Sequence, residues 1–353
     1  MEAFINGATC ISHHNTVDET FFFEGCSPFA PSPFLKVAPF EHKNYIPSAM
    51  SRRASHILKM GITAGMMTLE RAGIKSPDAI VVGTGMGCFE DTDKFLRALV
   101  DNEEQLLTPT SFIQSTHNSV AGQIALLTKC QGHNFTYVHQ NNSFESALLD
   151  ALMLLKEGEA QQVLVGGIDE LNAPLQELFE RAGHIKAAED LKELLWESTS
   201  KGSVAGEGAA FFNLSKKRNA NSLAKIRGVK TIQKTNSGEE LLEMALEFLS
   251  ELAIKKSEID LVLSGRSGDV EKDLKLKEFE SRLNIPLAYF KPLCGEYFTS
   301  GAFALWLGTS IIKKQLVPGC IPSDQTKPNS LRNILIVNHH SDELYSLICV
   351  SAC

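Results

Sequence analysis

The chain has 353 residues, of which 43% are hydrophobic and 22% charged, a balance typical of a soluble globular protein. Its formal net charge of −8 at pH 7 offers no broad basic surface to a phosphate backbone, so we expect no nucleic-acid partner. No stretch reaches the roughly 18 uninterrupted apolar residues of a membrane span, and the first residues lack a signal-peptide pattern, so the sequence predicts a cytoplasmic protein.

The cysteines are scattered along the chain without a C-x-x-C pair or a metal-like cluster. We therefore expect reduced thiols, no metal site and no cofactor. The eight residues are Cys10, Cys26, Cys88, Cys130, Cys294, Cys320, Cys349 and Cys353.

The first part of the chain begins with a segment rich in Phe and Pro, residues 18–48, which has no clear periodicity. We expect it to lie irregularly over the core, because so many aromatic side chains rarely stay in water. Helical and strand-like apolar spacings then alternate. The predicted elements are a helix over 51–72, a strand and glycine turn over 79–87, a helix over 120–130, a strand leading to 142, a helix over 145–156 and a strand over 162–166.

A second alternating series has a similar order and lies about 180 residues further along the chain. Its predicted elements are a strand over 206–214, a loop over 216–222, a helix over 238–253, a strand over 260–268, a helix over 301–314 and a strand over 333–340. The helices near 150 and 307 are apolar on every side, which indicates burial between other layers. The sequence thus predicts an α/β protein with duplicated halves, 1–205 and 206–353, and two central helices.

Four sequence blocks carry a resemblance to a known family when they are taken in order. They are RRASHILKMGITAGMMTLERAGI (52–74), HNSVAGQIALLTKCQGHNFTYVHQNN (117–142), GEAQQVLVGGIDE (158–170) and GEGAAFFNL (206–214). Each block is weak alone, but together they resemble the β-ketoacyl-acyl-carrier-protein synthases of the thiolase superfamily. The resemblance spans nearly the whole chain and implies one compact thiolase-like unit, a five-layer αβαβα sandwich.

Active members of this family use a Cys–His–His set, and all three positions are substituted in this chain. Counting without gaps from the neighbouring blocks places Asn141 at the nucleophile position. The family's His-Gly-Thr-Gly-Thr turn corresponds to SGRSG, so Ser264 takes the first histidine position. Its Lys-x-x-x-Gly-His block corresponds to KPLCGE, where Lys291 is kept and Glu296 replaces the second histidine. The glycine-rich C-terminal loop is replaced by VNHHSDELY (337–345).

These substitutions remove the chemistry that the resemblance implies. A carboxamide at Asn141 cannot form the thioester, Ser264 cannot supply a proton near neutral pH, and Glu296 places negative charge where an enolate develops. We therefore expect a catalytically degenerate subunit without independent condensing activity.

The resemblance implies a role beside an active enzyme. It suggests a chain-length-factor-like partner of an active ketosynthase in fatty acid or polyketide biosynthesis, of which aryl-polyene pathways are one example, with acyl carrier protein as a further partner. The chain would form a heterodimer with the ketosynthase or a homodimer. Two alternatives stay open: a decarboxylase or acyltransferase that uses the altered pocket, and a homodimeric acyl-binding scaffold.

Several of these residues also have a purely structural interpretation. Asn142 and Glu145 fit a helix capping box, and Gln140 competes with Asn141 because glutamine at the cysteine position marks decarboxylating relatives and chain-length factors. Glu296 fits an ion pair with Lys291 or Arg266.

The remaining polar and thiol residues have structural interpretations of the same kind. Ser264 fits a loop hydroxyl bonded to backbone, and Cys88 and Cys294 fit buried, inert thiols. Because adjacent histidines on a strand point to opposite faces, the pair His339 and His340 is predicted to mark a surface strand end rather than a metal site.

Overall fold

A computed structural model of the chain describes residues 2–26, 32–192, 195–319, 321, 330–341 and 343–353. The strands in these ranges are β1 (Ala3–Ile11), β2 (Phe34–Leu35), β3 (Ala79–Gly83), β4 (Asn134–Tyr137), β5 (Val163–Asp169), β6 (Ala205–Gly206), β7 (Gly208–Ser215), β8 (Ala224–Ile232), β9 (Leu261–Ser264), β10 (Leu287–Tyr289), β11 (Asn333–Ser341) and β12 (Leu344–Ser351). The helices are α1 (Glu19–Gly25), α2 (Ser48–Ser51), α3 (His56–Ala72), α4 (Phe89–Asp101), α5 (Pro109–Gln114), α6 (Ser119–Thr128), α7 (Ser143–Glu157), α8 (Ala173–Arg181), α9 (Gly238–Glu251), α10 (Leu274–Ser281), α11 (Lys291–Cys294) and α12 (Ser300–Lys314). Short 3-10 helices lie at Gln140–Asn142, Ala188–Lys192, Leu195–Glu197 and Lys256–Glu258.

Within the described ranges, ten strands form one mixed sheet in the spatial order β10-β9-β11-β12-β8-β1-β7-β5-β3-β4. The outer strands on each side run parallel to their neighbours, whereas the central strands β12, β8, β1 and β7 are antiparallel. β1 and β8 pair only through residues 3–5 and 224–226, so this short seam joins two groups of five strands.

The two strand groups are stacked with helices between and outside them. In β3, Ala79 and Val81 point towards the central helices α7 and α12, while Ile80 and Val82 pack with the outer helices α3 and α6. β11 alternates in the same way between the central helices and the outer helices α9 and α10. A pleated strand that is apolar on both faces requires a cover on each side. The layers therefore follow the αβαβα order, and the prediction of a thiolase-like α/β sandwich is confirmed.

The two central helices are buried along most of their length. Every residue from 300 to 312 of α12 is buried, and α7 buries Phe144, Leu148 and Leu152 among others. Glycine lets the start of α7 approach the sheet, because a Cβ on Gly83 would lie 2.4 Å from the carbonyl oxygen of Ser143. The start of α7 is therefore held directly against the end of β3.

Most predicted elements are confirmed, with differences at their ends. The helix predicted over 51–72 begins at His56, and the strand predicted over 260–268 ends at Ser264. The elements that were not predicted include β1, β8, β10, β12, α4, α5, α8 and α10. In the described part of the Phe-rich segment, Phe22 packs on the core, with its ring centroid 5.2 Å from that of Trp306, but the expectation of irregular structure is wrong at Glu19–Gly25, which form α1.

The strand pairing is relevant to the boundary between the two halves, which the sequence predicts at 205/206. β7 pairs with β1 and β5 and so belongs to the group of strands at the N-terminal side of the seam. The division at 205/206 stays a prediction, and we propose that a boundary after β7 keeps the paired strands together. None of the helices in the described ranges is long and apolar enough to cross a membrane.

The cysteines follow the expectation of reduced thiols with one correction. Those described as free are Cys10, Cys88, Cys130, Cys294, Cys349 and Cys353. Cys26 is disulfide-bonded, so the prediction is wrong at this residue. A disulfide depends on the distance between two cysteines in the fold, which spacing along the chain does not reveal. Cys320 lies outside the described residues.

Candidate functional site

The turn before α7 carries Gln140 and Asn141 at the position where the sequence predicts a nucleophile. Gln140 has a φ of 44°, which is uncommon for a residue with a side chain, and it is exposed, whereas Asn141 is partly buried. The Ser143 hydroxyl accepts a hydrogen bond from the His139 N–H at 2.9 Å and donates one to the Gln140 carbonyl at 2.8 Å. Ser143 therefore fixes the turn. Gln140 thus has a left-handed backbone conformation at this strand-to-helix turn, and the placement of Asn141 rather than Gln140 at the nucleophile position stays a prediction.

The predicted capping box of Asn142 and Glu145 is wrong. Asn142 is buried and makes no side-chain cap bond. The Glu145 carboxylate lies in the core instead, where it accepts a hydrogen bond from the Ser346 hydroxyl at 2.8 Å. A Cβ on Gly301 would lie 2.5 Å from Glu145 Oε1, so this glycine makes room for the carboxylate. Packing between α7, α12 and β12 has outweighed the local capping pattern, and burial raises the pKa of Glu145 to about 7.

We expect Glu145→Gln to stabilise the protein at pH 8 by up to about 3 kcal/mol. The pKa of Glu145 is raised from 4.5 to about 7 in the folded state. The buried carboxylate therefore does not lower the free energy of unfolding below about pH 4.5, and it lowers that free energy by the full amount above about pH 7. Glutamine keeps an oxygen acceptor for Ser346 and carries no charge. Thermal unfolding at pH 4.5 and pH 8 checks this, with the exposed Glu157→Gln as control. Equal effects at the two pH values would contradict it.

A buried charge cluster lies across the cavity from this turn. Lys291, the first residue of α11, is 2% exposed, and its Nζ lies 2.6 Å from Glu296 Oε2. The same ammonium group contacts the carbonyl oxygen of His339. Glu296 Oε1 lies 2.6 Å from His340 Nδ1. Burial alone would raise the pKa of Glu296, but Lys291 and then His340 outweigh it and lower that pKa to about 2. The predicted ion pair of Glu296 with Lys291 is consistent with this geometry.

The two adjacent histidines at the end of β11 do point to opposite sides, but they are not a surface feature. The His339 side chain is buried, and its Nε2 lies 2.8 Å from Asp273 Oδ1. Asp273 also accepts from the Ser267 and Gly268 N–H groups at 2.9 Å. His340 faces Glu296 instead. The prediction of a surface strand end is thus wrong, because each imidazole finds a carboxylate inside the fold.

Metal ligation by this histidine pair finds no support in the part of the chain that the structure describes. No group of three or more possible metal ligands is present among those residues. Asp342, two residues after the pair, lies outside the described residues.

Ser264 does not join this cluster. It is the last residue of β9, fully buried, and its hydroxyl donates to the Glu280 carboxylate on α10, which also pairs with Arg266. Its partner is therefore a side chain rather than the backbone expected from the sequence. Arg266 pairs with Glu280 and not with Glu296. The structure brings Asn141, Lys291 and Glu296 to one site and turns Ser264 away from it.

A cavity of about 360 Å³ separates the α7 turn from the charge cluster. Gln140, Asn141, Glu296 and His340 form its polar end. The other walls combine apolar side chains, among them Met86, Leu175, Phe179 and Phe298, with the polar or charged side chains of Asp169, Glu170, His184, Ser203 and Lys272. A concave, largely apolar site with a few converging polar groups is the usual form of a ligand pocket.

Asp169, at the end of β5, ties the segments around this cavity together. Its carboxylate accepts from the Gly85 N–H at 2.7 Å and from the Thr299 N–H at 2.8 Å. It thereby connects the GTGMG turn to the start of α12. The GTGMG segment (83–87) is a strand-end turn, as predicted, with Gly87 at a φ of 63°.

His340 is the functional candidate that the sequence analysis missed. Its signal was present, because HH replaces part of a glycine-rich loop that the family resemblance places near the active site. Cys88 and Cys294 are both buried, and burial raises the pKa of each thiol above its usual range. Their interpretation as inert thiols fits this environment.

Comparison with known proteins finds similarity to β-ketoacyl synthases over part of the chain. Residues 32–202 match the family described as "Beta-ketoacyl synthase, N-terminal domain". A 3-oxoacyl-[acyl-carrier-protein] synthase 2 of Vibrio cholerae serotype O1 is 22% identical over 235 residues, which are 64% of this chain and 53% of that enzyme. The chain thus spans about half the length of the curated synthases that it matches.

Solved structures resemble the whole described fold. The structure described as "The ishigamide ketosynthase/chain length factor" has a TM-score of 0.81 and 15% identity over 100% of this chain and 99% of that chain. The ketosynthase ApeO in complex with its chain length factor ApeC from Xenorhabdus doucetiae has a TM-score of 0.78 and 14% identity over 99% and 98% of the chains. At these identities the likeness establishes the fold. The chain therefore has the fold of these ketosynthases, and its residues 32–202 resemble the N-terminal domain of β-ketoacyl synthases.

Proposed function

We propose that this β-ketoacyl-synthase-like chain is a noncondensing, chain-length-factor-like partner of an active ketosynthase, acting in the cytoplasm on acyl chains carried by acyl carrier protein. The observation that carries the proposal is the cavity itself. Its polar end has Gln140 and Asn141 at the start of the buried helix, and among the described residues no cysteine lines it. Condensation by thioester exchange needs a thiolate at this place. The pocket retains a shape suited to an acyl chain without the group that would bind one covalently.

The free edge of the sheet supports pairing with a related subunit. β4 lies at one edge of the described sheet, with β3 as its neighbour. Along β4, the N–H and C=O groups that point away from β3 have no strand to pair with in the described residues. Phe135 on this strand is 49% exposed, and Val138 just beyond it is 44% exposed. Leu126 on α6 and Met153 on α7, the helices that pack on β4, are also exposed. An unpaired strand edge flanked by apolar side chains is suited to pairing with a partner strand.

Structural neighbours that were solved as complexes suggest which kind of protein the partner is. One structural neighbour is a ketosynthase in complex with its chain length factor, and another is a type II polyketide acyl-carrier protein in complex with its ketosynthase. A ketosynthase homologue would present the equivalent edge strand, which allows two sheets to continue across the interface. Membership of an aryl-polyene-type pathway stays a prediction, as do the homodimeric scaffold and the decarboxylase or acyltransferase alternatives.

Co-expression with candidate ketosynthases tests the proposal. We expect a stable heterodimer with one of them, and we expect no acyl group on this chain after incubation with acyl- or malonyl-carrier protein, as measured by intact-protein mass spectrometry. A stable acyl adduct on this chain would overturn the noncatalytic role. A homodimer that resists every ketosynthase would favour the scaffold alternative.

A further inference from the structure

We propose that His340 and Glu296 form a general-base pair that hydrolyses acyl thioesters in the cavity, with water as the nucleophile. The inference rests on the proposed function for its substrate class, because an acyl thioester is what a carrier protein would present. It goes beyond that function, since it assigns a release reaction to a site that has lost the residue needed for condensation.

The contact between His340 and Glu296 fixes the state of the imidazole ring. The carboxylate oxygen lies 2.6 Å from Nδ1 and can only accept a hydrogen bond, so in the neutral ring the proton sits on Nδ1. The lone pair then lies on Nε2. Nε2 is buried and has no hydrogen-bond partner in the ranges that the structure describes, and the 2.6 Å contact of Nδ1 with Glu296 is a close charge contact without the geometry of a normal hydrogen bond. An imidazole with a carboxylate behind it and a free basic nitrogen in front is the arrangement of a general base.

The neighbours of the pair hold it in place. Lys291 binds the second oxygen of Glu296 at 2.6 Å and also contacts the carbonyl oxygen of His339, so the carboxylate is tied to the backbone of β11. The ring of Phe298 meets the His340 ring edge to face, with centroids 4.9 Å apart. The imidazole is therefore restrained by a carboxylate on one edge and an aromatic ring beside it. A base held in this way loses little conformational entropy when it acts.

Charged side chains of both signs line the cavity, since Asp169, Glu170 and Lys272 are part of its walls as well as Glu296. Glu296 is countered by the buried ammonium group of Lys291, so the pair does not present an isolated anion to the cavity. Gln140 and Asn141 line the same end of the cavity, and carboxamide N–H groups can donate to a developing oxyanion.

The reaction needs only water and the thioester. Nε2 of His340 takes a proton from a water molecule while the water oxygen bonds to the thioester carbonyl carbon. The resulting tetrahedral oxyanion collapses, the carbon–sulfur bond breaks, and the proton on Nε2 passes to the departing sulfur. The products are a carboxylic acid and a free thiol. No enzyme-bound acyl group forms, so the absence of a cysteine at the start of α7 does not impede this step.

The experiment uses the full chain and octanoyl-acyl carrier protein in water labelled with ¹⁸O. We expect release of the free carrier thiol and of octanoate that contains one labelled oxygen. His340→Asn should lower the rate about 100-fold or more, the contribution of a general base. Glu296→Gln should lower kcat more than it changes KM, because Glu296 acts on the reaction through the orientation of His340. The matched control is His117→Asn, an exposed histidine outside the cavity.

Thermal unfolding of each variant separates a chemical effect from misfolding. Equal rates for the wild-type chain and a folded His340→Asn variant would overturn the inference, as would release of unlabelled octanoate. The same preparations are assayed for ketosynthase binding. Ketosynthase binding without hydrolysis would overturn the inference and leave the proposed function in place. Hydrolysis by a chain that binds no ketosynthase would support the inference and contradict the proposed function.

Discussion

Phe135→Asp is expected to weaken association with a ketosynthase by about 30-fold or more, the effect of losing an interface residue that contributes about 2 kcal/mol. Phe135 lies on the edge strand β4 and is 49% exposed, so in the isolated chain the substitution should change stability little. In the complex an aspartate would place a charge between two paired strands and remove an aromatic contact. Titration calorimetry or quantitative co-purification measures the change, and a homodimer formed through the same edge should respond in the same way.

Leu274→Asp provides a matched control for this edge. Leu274 begins α10 and is 60% exposed, so it is an equally accessible apolar side chain on a helix of the other strand group. It should leave association unchanged. If both variants bind the ketosynthase as tightly as the wild-type chain does, β4 is not the pairing edge.

The second large effect is expected from Glu296→Leu, which should lower the free energy of unfolding by about 3–5 kcal/mol. The substitution leaves the ammonium group of Lys291, only 2% exposed, without its carboxylate partner. An uncompensated buried charge costs far more than the loss of an exposed ion pair. Urea denaturation at neutral pH measures the effect. Glu271→Leu, which breaks the exposed pair with Lys201, should cost less than about 1 kcal/mol.

The pH dependence and a double variant sharpen this prediction. The pKa of Glu296 falls from 4.5 to about 2 on folding, so its stabilising contribution is complete above about pH 4.5 and is lost as the pH falls towards 2. The wild-type chain and the Glu296→Leu variant should thus converge in stability in acid. Replacing both partners, as Lys291→Met with Glu296→Leu, should recover much of the loss. A double variant as unstable as the single one would contradict the ion-pair explanation.

The layered fold was largely predictable because its strands carry their own signal. β3 reads AIVVG, a continuous apolar run between turn residues, and such a run identifies a strand buried on both faces. β1 was not predicted, because Asn6 and Gly7 interrupt its apolar pattern. Its place in the sheet depends on pairing with β7, roughly 200 residues away in the chain, and no local pattern encodes that pairing.

Part of the candidate site could be predicted from sequence motifs. The positions of Ser264 and His340 could not, because they depend on contacts with residues distant in the chain. Asn141 and Glu296 line one cavity, and Lys291 joins them through its contact with Glu296. Ser264 turns away because Glu280 accepts its hydroxyl, which the motif alone did not indicate. His340 contacts Glu296 although the two residues are 44 positions apart in the sequence (340 minus 296).

The position of β1 in the middle of the sheet has a consequence for how the protein is made. This strand is synthesised roughly 200 residues before its partners β7 and β8, and β12, which completes the other side of β8, comes later still. Folding of the two strand groups into one sheet therefore waits until most of the chain has been synthesised. During that interval the strand's hydrogen-bonding edges are open, which makes the nascent chain dependent on protection from aggregation.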